Sequence, residues 1–487
     1  MPFLRPALLL LIGAAAIVAL LAGGDAKWTP KSGLALTEPK QIYSKDGALR
    51  VTLDVKRRTI DVSGDTIKAQ PFGRSLVGPT LHVKPGDRVE VTFVNGTDEN
   101  TNIHYHGMHV SPLGDGDNVF RSFAAGSTKK SFITLPSDHP TGTYWYHVHL
   151  HGLTEEQVMG GLSGLIIVEG LEAKLPKQFR TVKQRQLAIS DIQTQGDSIA
   201  MNSSQIDPSK PSTWLVNGLL QPKMSIKSGE TQLWRIANIG ADLFYDVRLD
   251  KHKFRILAED GSPVWKATDA DHLVLPPGKR FDVLVQGGKP GVYALKSLKY
   301  DEGFEDLPTK TLATVTVPGP QRKPAAGLPT SMNNRDGDLS KAKVARKRTF
   351  TFSFGTNPND FTALINGQQF DPMATPVDPV LGTVEEWTLR NTSGEDHPFH
   401  IHINDFQVMS VNGKPYKANG TQDVVIIPKN GGEVVIRQRF EDFTGWFVFH
   451  CHILGHEDAG MMKSVEVLKK GQKPEPPPNE MPGMSHP

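Results

Sequence analysis

The feature of this sequence that most constrains its fold is a weak internal repeat with a period of about 150 residues. In each copy a glycine is followed by apolar residues at alternating positions and then by an asparagine, over residues 86–95, 229–238 and 382–391. Alternation with a period of two indicates a strand with one buried face, and glycine is typical of the turn before it. The repeat therefore predicts three copies of one β unit.

A second strand recurs later in each copy, as Gly-x-Tyr-x-Tyr at 142–146, Gly-x-Tyr-x-Leu at 291–295 and Gly-x-Phe-x-Phe at 445–449. The chain of 487 residues is also longer than one hydrophobic core usually supports. Its 46 glycines and 36 prolines separate short runs rich in Val, Ile, Thr and Phe, which favours strands over helices. We predict an all-β protein of three consecutive β-sandwich domains.

The repeats also give predicted boundaries, with domains at residues 40–170, 171–318 and 349–470. Residues 319–348 are rich in Pro, Gly, Lys and Arg and are interpreted as a linker, and residues 471–487 as a disordered tail. Within residues 1–26, an apolar run follows Arg5 and precedes small residues, which predicts a cleaved export signal or a retained membrane anchor. We therefore expect an exported protein of the periplasm or cell envelope.

Charge and cysteine content narrow the class of protein further. The 54 basic and 52 acidic side chains are spread along the chain, without the basic face that nucleic acid requires. Cys451 is the single cysteine, so the chain forms no internal disulfide, which favours a bacterial envelope over a eukaryotic secretory route. We expect a monomer that binds small molecules, although the sequence does not determine the oligomeric state.

Four His-x-His pairs occupy corresponding places in the first and third copies, after the repeated asparagine and after the recurring aromatic strand. They are His104 and His106, His147 and His149, His400 and His402, and His450 and His452. The middle copy has Val247, Leu249, Lys296 and Leu298 at these positions. Residues two apart on a strand point to the same face, so each pair directs both rings to one point. Eight imidazoles exceed the needs of one ion, which indicates several metals.

Cys451 lies between His450 and His452, and His456 and Met461 follow within a few residues. A thiolate with two imidazoles and a weak thioether is the ligand set of a blue copper site. His397, three residues before His400, supplies the second imidazole. The alternative interpretation is a buried structural cysteine near an unrelated methionine. Because neighbouring residues on a strand point to opposite faces, one strand would join two metal sites.

These motifs resemble those of the three-domain multicopper oxidases, the family of laccases and cuprous oxidases, over roughly residues 40 to 470. They are HYHG at 104–107, HVH at 147–149, HPFHIH at 397–402, and HCH at 450–452 with its downstream His and Met. The resemblance implies three cupredoxin-like Greek-key sandwiches. It also implies four copper ions, one of type 1, one of type 2 and two of type 3, which serve the reduction of dioxygen to water.

The resemblance further assigns a role to each site residue. The type 1 ligands would be His397, Cys451 and His456 with Met461 axial, the type 2 ligands His104 and His400, and the type 3 ligands His106, His147, His149, His402, His450 and His452. Electrons would enter at His456 and leave through Cys451. Asp115 and Glu457 would relay protons, although either acid could be an ordinary surface residue.

The expected partners are dioxygen and a reducing donor, namely a phenol, an aromatic amine or a low-valent metal ion. A cuprous oxidase for copper tolerance is the near alternative, but only 12 methionines occur and no methionine-rich run precedes the last motif. A copper nitrite reductase would need fewer His-x-His pairs. A copper carrier or non-catalytic envelope protein is the alternative from another class, and oxygen uptake would distinguish it from an oxidase.

Overall fold

The computed structural model describes residues 27–207, 209–304, 306–332, 337–357 and 361–475. The predicted export or anchor segment, residues 1–26, and residues 476–487 of the predicted tail lie outside the described residues. The regular secondary structure of the described residues is almost entirely β-strand, with only short helices, which confirms the all-β prediction. Across these ranges, no helix is both long enough and apolar enough to cross a bilayer.

The first domain is a sandwich of two sheets over an apolar core. Its elements are β1 (Gln41–Tyr43), β2 (Ala48–Val55), β3 (Arg58–Val62), β4 (Asp65–Ala69), β5 (Thr80–Val83), β6 (Arg88–Asn95), β7 (His104–His106), β8 (Thr128–Thr134), β9 (Gly142–His147), α1 (Thr154–Met159) and β10 (Ser163–Val168). The two main sheets have the strand orders β1-β5-β10-β9-β7 and β2-β6-β8, and β3 pairs with β4 in a separate small sheet. Val89, Val91 and Phe93 alternate along β6 and are buried, as the repeat predicted.

The second domain is also a two-sheet sandwich. Its strands are β11 (Lys183–Ile192), β12 (Thr194–Gln195), β13 (Ser198–Ile199), β14 (Thr213–Val216), β15 (Lys223–Ser225), β16 (Thr231–Asn238), β17 (Tyr245–Leu249), β18 (Phe254–Glu259), β19 (Ser262–Ala270), β20 (Leu273–Leu275), β21 (Arg280–Gln286), β22 (Gly291–Leu298), β23 (Tyr300–Asp301), β24 (Asp306–Leu307) and β25 (Lys310–Val317). Short 3₁₀ helices span Leu171–Lys174, Lys177–Phe179 and Ser203–Gln205. The two sheets run β14-β11-β16-β21-β18-β19 and β15-β25-β22-β17-β20.

The third domain repeats this architecture. Its elements are β26 (Val344–Phe354), β27 (Ala363–Ile365), β28 (Val384–Asn391), β29 (His397–Ile401), β30 (Phe406–Val411), β31 (Lys414–Pro415), β32 (Val424–Ile427), β33 (Glu433–Arg439), β34 (Gly445–Cys451), α2 (Leu454–Asp458) and β35 (Met462–Val467). The sheets run β27-β26-β28-β33-β30-β31 and β32-β29-β34-β35. Three consecutive sandwiches, as predicted, therefore make up the described chain.

The repeated asparagine has the same structural role in all three domains. Its buried side-chain amide donates hydrogen bonds to two main-chain carbonyls around the loop that follows the strand. Asn95 binds the carbonyls of Glu99 and Phe123 at 2.8 and 3.1 Å, Asn238 those of Leu243 and Leu275 at 2.8 and 3.0 Å, and Asn391 those of Glu395 and Ile427 at 2.7 and 3.1 Å. The asparagine thus ties down the loop that leads to β7 in the first domain and to β29 in the third.

Two features cross the predicted domain boundaries. β13 pairs in parallel with β4 of the first domain through Ser198 and Lys68, so the start of the second domain extends a sheet of the first. In the predicted linker, Met332 and Leu339 are buried and β26 already begins at Val344. The few apolar residues of this segment pack against the domains, because leaving them in water would cost hydrophobic free energy. The exact boundaries remain predictions.

Candidate metal centre

The four His-x-His pairs lie on strands that pair in the same way in the two outer domains. His104 lies opposite His147 where β7 pairs with β9, and His400 lies opposite His450 where β29 pairs with β34. The two strand pairs face each other across the interface between the domains, and all eight rings are buried. We call these eight rings, His104, His106, His147, His149, His400, His402, His450 and His452, the imidazole cluster.

Within the imidazole cluster, rings from different domains are in contact. His104 stacks on His402, and His106 stacks on His400, each with 3.8 Å between ring centroids. The nitrogens form three sets whose members lie within 4.8 Å of one another: His106, His147 and His452; His149, His402 and His450; and His104, His106 and His400. Neither domain alone supplies a complete set, so the docking of the first and third domains creates the cluster.

Several nitrogens of the imidazole cluster have no hydrogen-bond partner among the described residues. These are Nε2 of His104, His147 and His400, Nδ1 of His149 and His452, and both ring nitrogens of His402. A buried nitrogen without a partner costs free energy comparable to a lost hydrogen bond, so seven such atoms on six neighbouring rings require an explanation. Metal coordination supplies it, because imidazole nitrogens are good ligands for copper and zinc. The residues present therefore fit a multinuclear metal centre.

The opposite nitrogen of four rings is held by hydrogen bonds that orient the ring. His104 Nδ1 lies 2.9 Å from an Asp117 oxygen, and His400 Nδ1 lies 2.9 Å from the main-chain oxygen of Asp423. His147 and His450 use Nδ1 in the same way, towards the carbonyls of Val148 and Cys451 at 2.7 and 2.9 Å. When Nδ1–H donates, Nε2 carries the lone pair, which points it at the centre as a ligand.

The electrostatics of the cluster keep the imidazoles neutral. Burial lowers the pKa of His147 to about 3 and that of His450 to about 4, in each case with repulsion from neighbouring imidazoles. The pKa of His104 is also lowered well below its usual value, first by burial and then by His147 and His149. A metal ligand must be the neutral imidazole, so these rings are ready to bind without first losing a proton.

Three carboxylates contact the imidazole cluster, namely Asp117, Glu457 and Asp423, and the first of them stands two residues after the aspartate named from the sequence. Asp115 points outwards, with its side chain 55% exposed and paired with Arg121 at 2.6 Å. Asp117, two residues later, is buried, accepts the main-chain N–H of Tyr105 at 2.9 Å and contacts His104. Of the two, Asp117 and not Asp115 contacts the cluster, because the loop after β7 turns the second aspartate inwards. Burial raises the pKa of Asp117 to about 8.

Glu457 is the second carboxylate that contacts the cluster. Its oxygens are 3.4 Å from His149 Nδ1 and 3.2 Å from His450 Nδ1, and Thr154 donates a hydrogen bond to it at 3.0 Å. The side chain is completely buried, and this burial, together with repulsion from Asp458, raises its pKa well above the usual value. A carboxyl group whose neutral form is favoured by burial is thus held directly beside two rings of the cluster.

A second group lies within the third domain, and we call His397, Cys451, His456 and Met461 the cysteine site. The Sγ atom of Cys451 is 3.5 Å from His397 Nδ1 and 3.7 Å from His456 Nδ1. Met461 is buried and bonded through its main chain to both Cys451 and His456, at 3.0 and 2.9 Å. Burial raises the pKa of the Cys451 thiol, with a further contribution from Glu395. One thiol and two converging imidazoles, with Met461 buried and bonded to the same segment, fit a single copper ion.

The cysteine site and the imidazole cluster share one strand end. Cys451 is flanked by His450 and His452, whose rings belong to the cluster, and the main-chain carbonyl of Cys451 lies 2.9 Å from His450 Nδ1. The Cys451 side chain instead lies with His397 and His456. The two metal-binding groups are therefore joined through a covalent segment of three residues.

A cavity of about 450 Å³ opens beside His456, and we call it the His456 cavity. Its lining combines apolar side chains with carboxylates: Glu155, Asp191, Gln193, Ile206, Ser212, Asp242, Leu243, Glu302, Phe304, Leu307, Phe361, Glu395, Ile453, Gly455 and His456. The Nε2 atom of His456 faces Glu395 at 3.3 Å. A second cavity of about 500 Å³ lies where the three domains meet, and Gly107 and Ile403, which directly follow two cluster histidines, line it.

Comparison with known proteins gives one family. Family models described as multicopper oxidase match residues 54–173, 177–317 and 341–471. The chain is 30% identical over 407 residues to the multicopper oxidase mco of Staphylococcus haemolyticus, covering 81% of this chain and 83% of the relative. It is 27% identical to a laccase of Haloferax volcanii, over 86% of this chain and 81% of that protein.

The solved structures agree with the sequence comparison. The multicopper oxidase from Campylobacter jejuni, described as a metallo-oxidase, superimposes with a TM-score of 0.79 at 27% identity, covering 90% of this chain and 96% of that one. A laccase from Pediococcus acidilactici gives a TM-score of 0.78 at 23% identity, covering 91% and 95%. The similarity in fold therefore extends over all three domains.

Proposed function

This chain belongs to the multicopper oxidase family, and on that premise we propose that the imidazole cluster and the cysteine site are its copper ligands. A member of this family is a copper-dependent oxidoreductase with dioxygen as acceptor. It binds four copper ions, one of type 1, one of type 2 and two of type 3. With these ions bound, it removes single electrons from a reducing donor and reduces dioxygen to water.

The proposed ligand assignment follows the nitrogen sets. His397, Cys451 and His456, with Met461, would hold the type 1 ion; His104 and His400 would hold the type 2 ion; His106, His147 and His452 would hold one type 3 ion; and His149, His402 and His450 would hold the other. The observation that carries this proposal is the convergence of buried ring nitrogens without partners from two domains. Three sets of ligands side by side suit a reaction that needs several electrons at one place.

His456 is the proposed point of contact with the electron donor. It is the ligand that lines the His456 cavity, and its Nε2 atom faces that cavity rather than the Cys451 thiol. The segment from His450 to His452 then connects the cysteine site covalently to the imidazole cluster. A donor bound in this cavity therefore needs no access to the cluster itself, which stays closed to it.

Glu457 and Asp117 are the proposed sources of protons for the reduction of dioxygen. Reduction to water consumes protons in a site where all the imidazoles are neutral. Burial raises the pKa of both carboxyl groups, which favours their protonated forms while they touch the cluster. Asp115, exposed and paired with Arg121, has no such contact.

The His456 cavity favours an organic donor over a metal ion. Phe304, Phe361 and Leu307 offer apolar surface for an aromatic ring, and Glu395 beside His456 can accept an N–H or O–H proton of the donor. Cuprous ion prefers thioether and thiolate ligands, and no methionine is found among the described residues that line this cavity. We therefore favour a laccase-like enzyme for phenols and aromatic amines over a cuprous oxidase.

Metal analysis and oxygen uptake test this function together. We expect about four coppers per purified chain, an intense blue thiolate absorption, and oxygen consumption with a phenol or an aromatic diamine. Rates of oxygen consumption with ferrous and cuprous ions, measured under the same conditions, should be lower than those with the phenol and the diamine. Protein that binds copper and consumes no oxygen with any of the four donors would instead be a copper carrier.

A variant of the cavity sharpens the choice of donor. Glu395→Gln removes the proton acceptor beside His456 and should lower kcat/KM for phenols and diamines by roughly 10-fold or more. It should leave the rate with ferrocyanide, which has no proton to lose, within about twofold. Asp301→Asn, an exposed acid outside the cavity lining, is the matched control. An equal loss with both donors would contradict the proposed role of Glu395.

We also propose export to the periplasm or cell envelope, with residues 1–26 as signal or anchor. The support is the apolar run behind a single basic residue. Fractionation of the producing cells and N-terminal sequencing of the mature protein test this proposal. A soluble cytoplasmic product that retains residues 1–26 would contradict it.

A further inference from the structure

The middle domain supplies no imidazole to the cluster, yet it delivers one charged side chain there. Arg280, the first residue of β21, is completely buried. Its Nη1 and Nη2 atoms donate to the two carboxylate oxygens of Asp423 in the third domain, at 2.7 and 2.8 Å. Its Nε atom donates to the main-chain oxygen of Thr143 in the first domain, at 3.1 Å. One side chain of the middle domain therefore holds both outer domains.

Asp423 carries this connection to the imidazole cluster at two points. Its carboxylate oxygen lies 3.3 Å from His106 Nε2, and its main-chain oxygen lies 2.9 Å from His400 Nδ1. His106 and His400 are the pair that stack across the domain interface. A shift of Asp423 would thus turn one ring from each outer domain.

The backbone around this ion pair leaves no room for rearrangement. Gly107 directly follows His106, and a β-carbon there would collide with the Asp423 carboxylate and the Arg280 guanidinium. Gly278 precedes Arg280 by two residues, and a β-carbon there would lie 2.9 Å from a ring carbon of His452 and 3.0 Å from one of His106. Both glycines have a positive φ, of 78° and 84°, which favours glycine. The middle domain is therefore packed directly against the rings.

We propose that Arg280 is a positioning residue for the imidazole cluster, which acts through Asp423 to fix the orientation of His106 and His400 for copper. The proposal rests on the ligand assignment under Proposed function. The planar guanidinium fork can hold both carboxylate oxygens at once, and a lysine ammonium can hold them only as a point charge. Groups that orient metal ligands typically change metal affinity by roughly 10–100-fold when they are replaced.

Arg235 offers a matched control on the neighbouring strand of the same sheet. It is also completely buried, and its side-chain bonds run to Gln184, Asp282 and Glu172 at 3.0, 3.0 and 2.7 Å. None of these three partners is a histidine of the cluster or the Asp423 carboxylate. Its partner Asp282 also accepts from Thr143, so Arg235→Lys makes the same chemical change to a buried ion pair on the Thr143 side of Arg280 while leaving Asp423 and the cluster rings untouched.

The experiment compares copper-loaded wild type, Arg280→Lys and Arg235→Lys. Copper per chain, the blue absorption and the type 2 paramagnetic resonance signal are measured during titration with a copper chelator. In Arg280→Lys we expect the cluster to release copper at roughly 10–100-fold lower chelator concentration, with an altered type 2 signal and an unchanged blue absorption. In Arg235→Lys all three should match wild type.

Two results would overturn the proposal. One is an Arg280→Lys cluster that holds copper with the affinity and type 2 signal of wild type, and the other is an equal loss in Arg235→Lys, which would show a general folding effect. If Arg280→Lys yields no folded protein, Asp423→Asn tests the same connection and should show the same selective release. Retention of copper by that variant would likewise overturn it. Wild type that binds no copper at the cluster would instead contradict the ligand assignment, so the two failures are distinguishable.

Discussion

The cysteine site and the imidazole cluster are built in opposite ways. All residues of the cysteine site come from one domain, and its His456 lines a cavity that a donor can enter. The imidazole cluster takes its rings from two domains and is buried on every side. With the proposed ligand assignment, this difference would separate the two tasks of the enzyme, because electrons would enter at an accessible site and dioxygen would be reduced in a closed one.

The two groups also differ in the protons that they hold without metal. Burial raises the pKa of the Cys451 thiol and lowers the pKa of the cluster imidazoles, because in each case it disfavours the charged form. The thiol must therefore lose a proton to bind copper, and the imidazoles need not. This contrast can be tested directly.

The largest expected effect comes from separating the two groups at the strand that joins them. Cys451→Ser should abolish the blue absorption and the oxidase activity completely, because serine supplies no thiolate. The cluster should keep its metal, giving about three coppers per chain in metal analysis. Loss of all copper from this variant would show that the two groups do not load independently.

The reverse experiment removes a cluster ring. His402→Ala deletes an imidazole whose two nitrogens have no hydrogen-bond partner within the described chain, so copper should be lost from the cluster. Oxygen uptake should fall below about a hundredth of wild type. The blue absorption should remain and should still bleach when a donor is added. His272→Gln, at a half-exposed histidine of the middle domain, is the control and should behave as wild type.

A smaller effect is expected from the carboxyl group beside the cluster. Glu457→Gln keeps the shape of the side chain and removes its exchangeable acidic proton, so oxygen uptake should fall by roughly 100-fold with all copper retained. Asp115→Asn should leave the rate unchanged, because that carboxylate is exposed and pairs with Arg121. A slow Asp115→Asn enzyme would restore the residue chosen from the sequence.

The smallest expected effect is the pH dependence of metal uptake. Anaerobic titration of the apoprotein with cuprous ion between pH 6 and 8 should show the affinity of the cysteine site rising about tenfold per pH unit, because one thiol proton is released below its raised pKa. The affinity of the cluster should change little, since burial lowers the pKa of His147 to about 3 and that of His450 to about 4. Subtracting the titration of Cys451→Ser isolates the cysteine site. If the copper affinities of the cysteine site and of the imidazole cluster changed equally with pH, the stated difference in the protons that the two groups hold would be wrong.

The sequence predicted the features that repeat or that lie close together in the chain. The His-x-His pairs recur with the strands that carry them, and the spacing from Cys451 to Met461 is local, so both were accessible from the sequence. The inward aspartate was missed because Asp115 and Asp117 stand two residues apart in one loop, and only the turn of that loop decides which is buried. The one signal in the sequence was that a second aspartate, Asp117, stands close to Asp115 in the same loop.

The contribution of the middle domain could not be predicted from the sequence. Arg280 and Asp423 are 143 residues apart, and neither belongs to a motif that the outer copies share. Their contact depends on how three sandwiches dock, which local patterning does not encode. The same limit explains why residues 319–348 were predicted to be a simple linker. Met332 and Leu339 in this segment are buried against surfaces that exist only once the domains have folded.

The asparagine that closes the loop after each repeated strand has a consequence for how this architecture can be modified. Asn238 makes the same bonds in the metal-free domain as Asn95 and Asn391 make where metal is expected. The scaffold is thus complete without any ion, and the coordinating side chains are additions that a unit can gain or lose without losing its shape. A middle sandwich given histidines at Val247 and Leu249 would be a starting point for engineering a new centre into an existing frame.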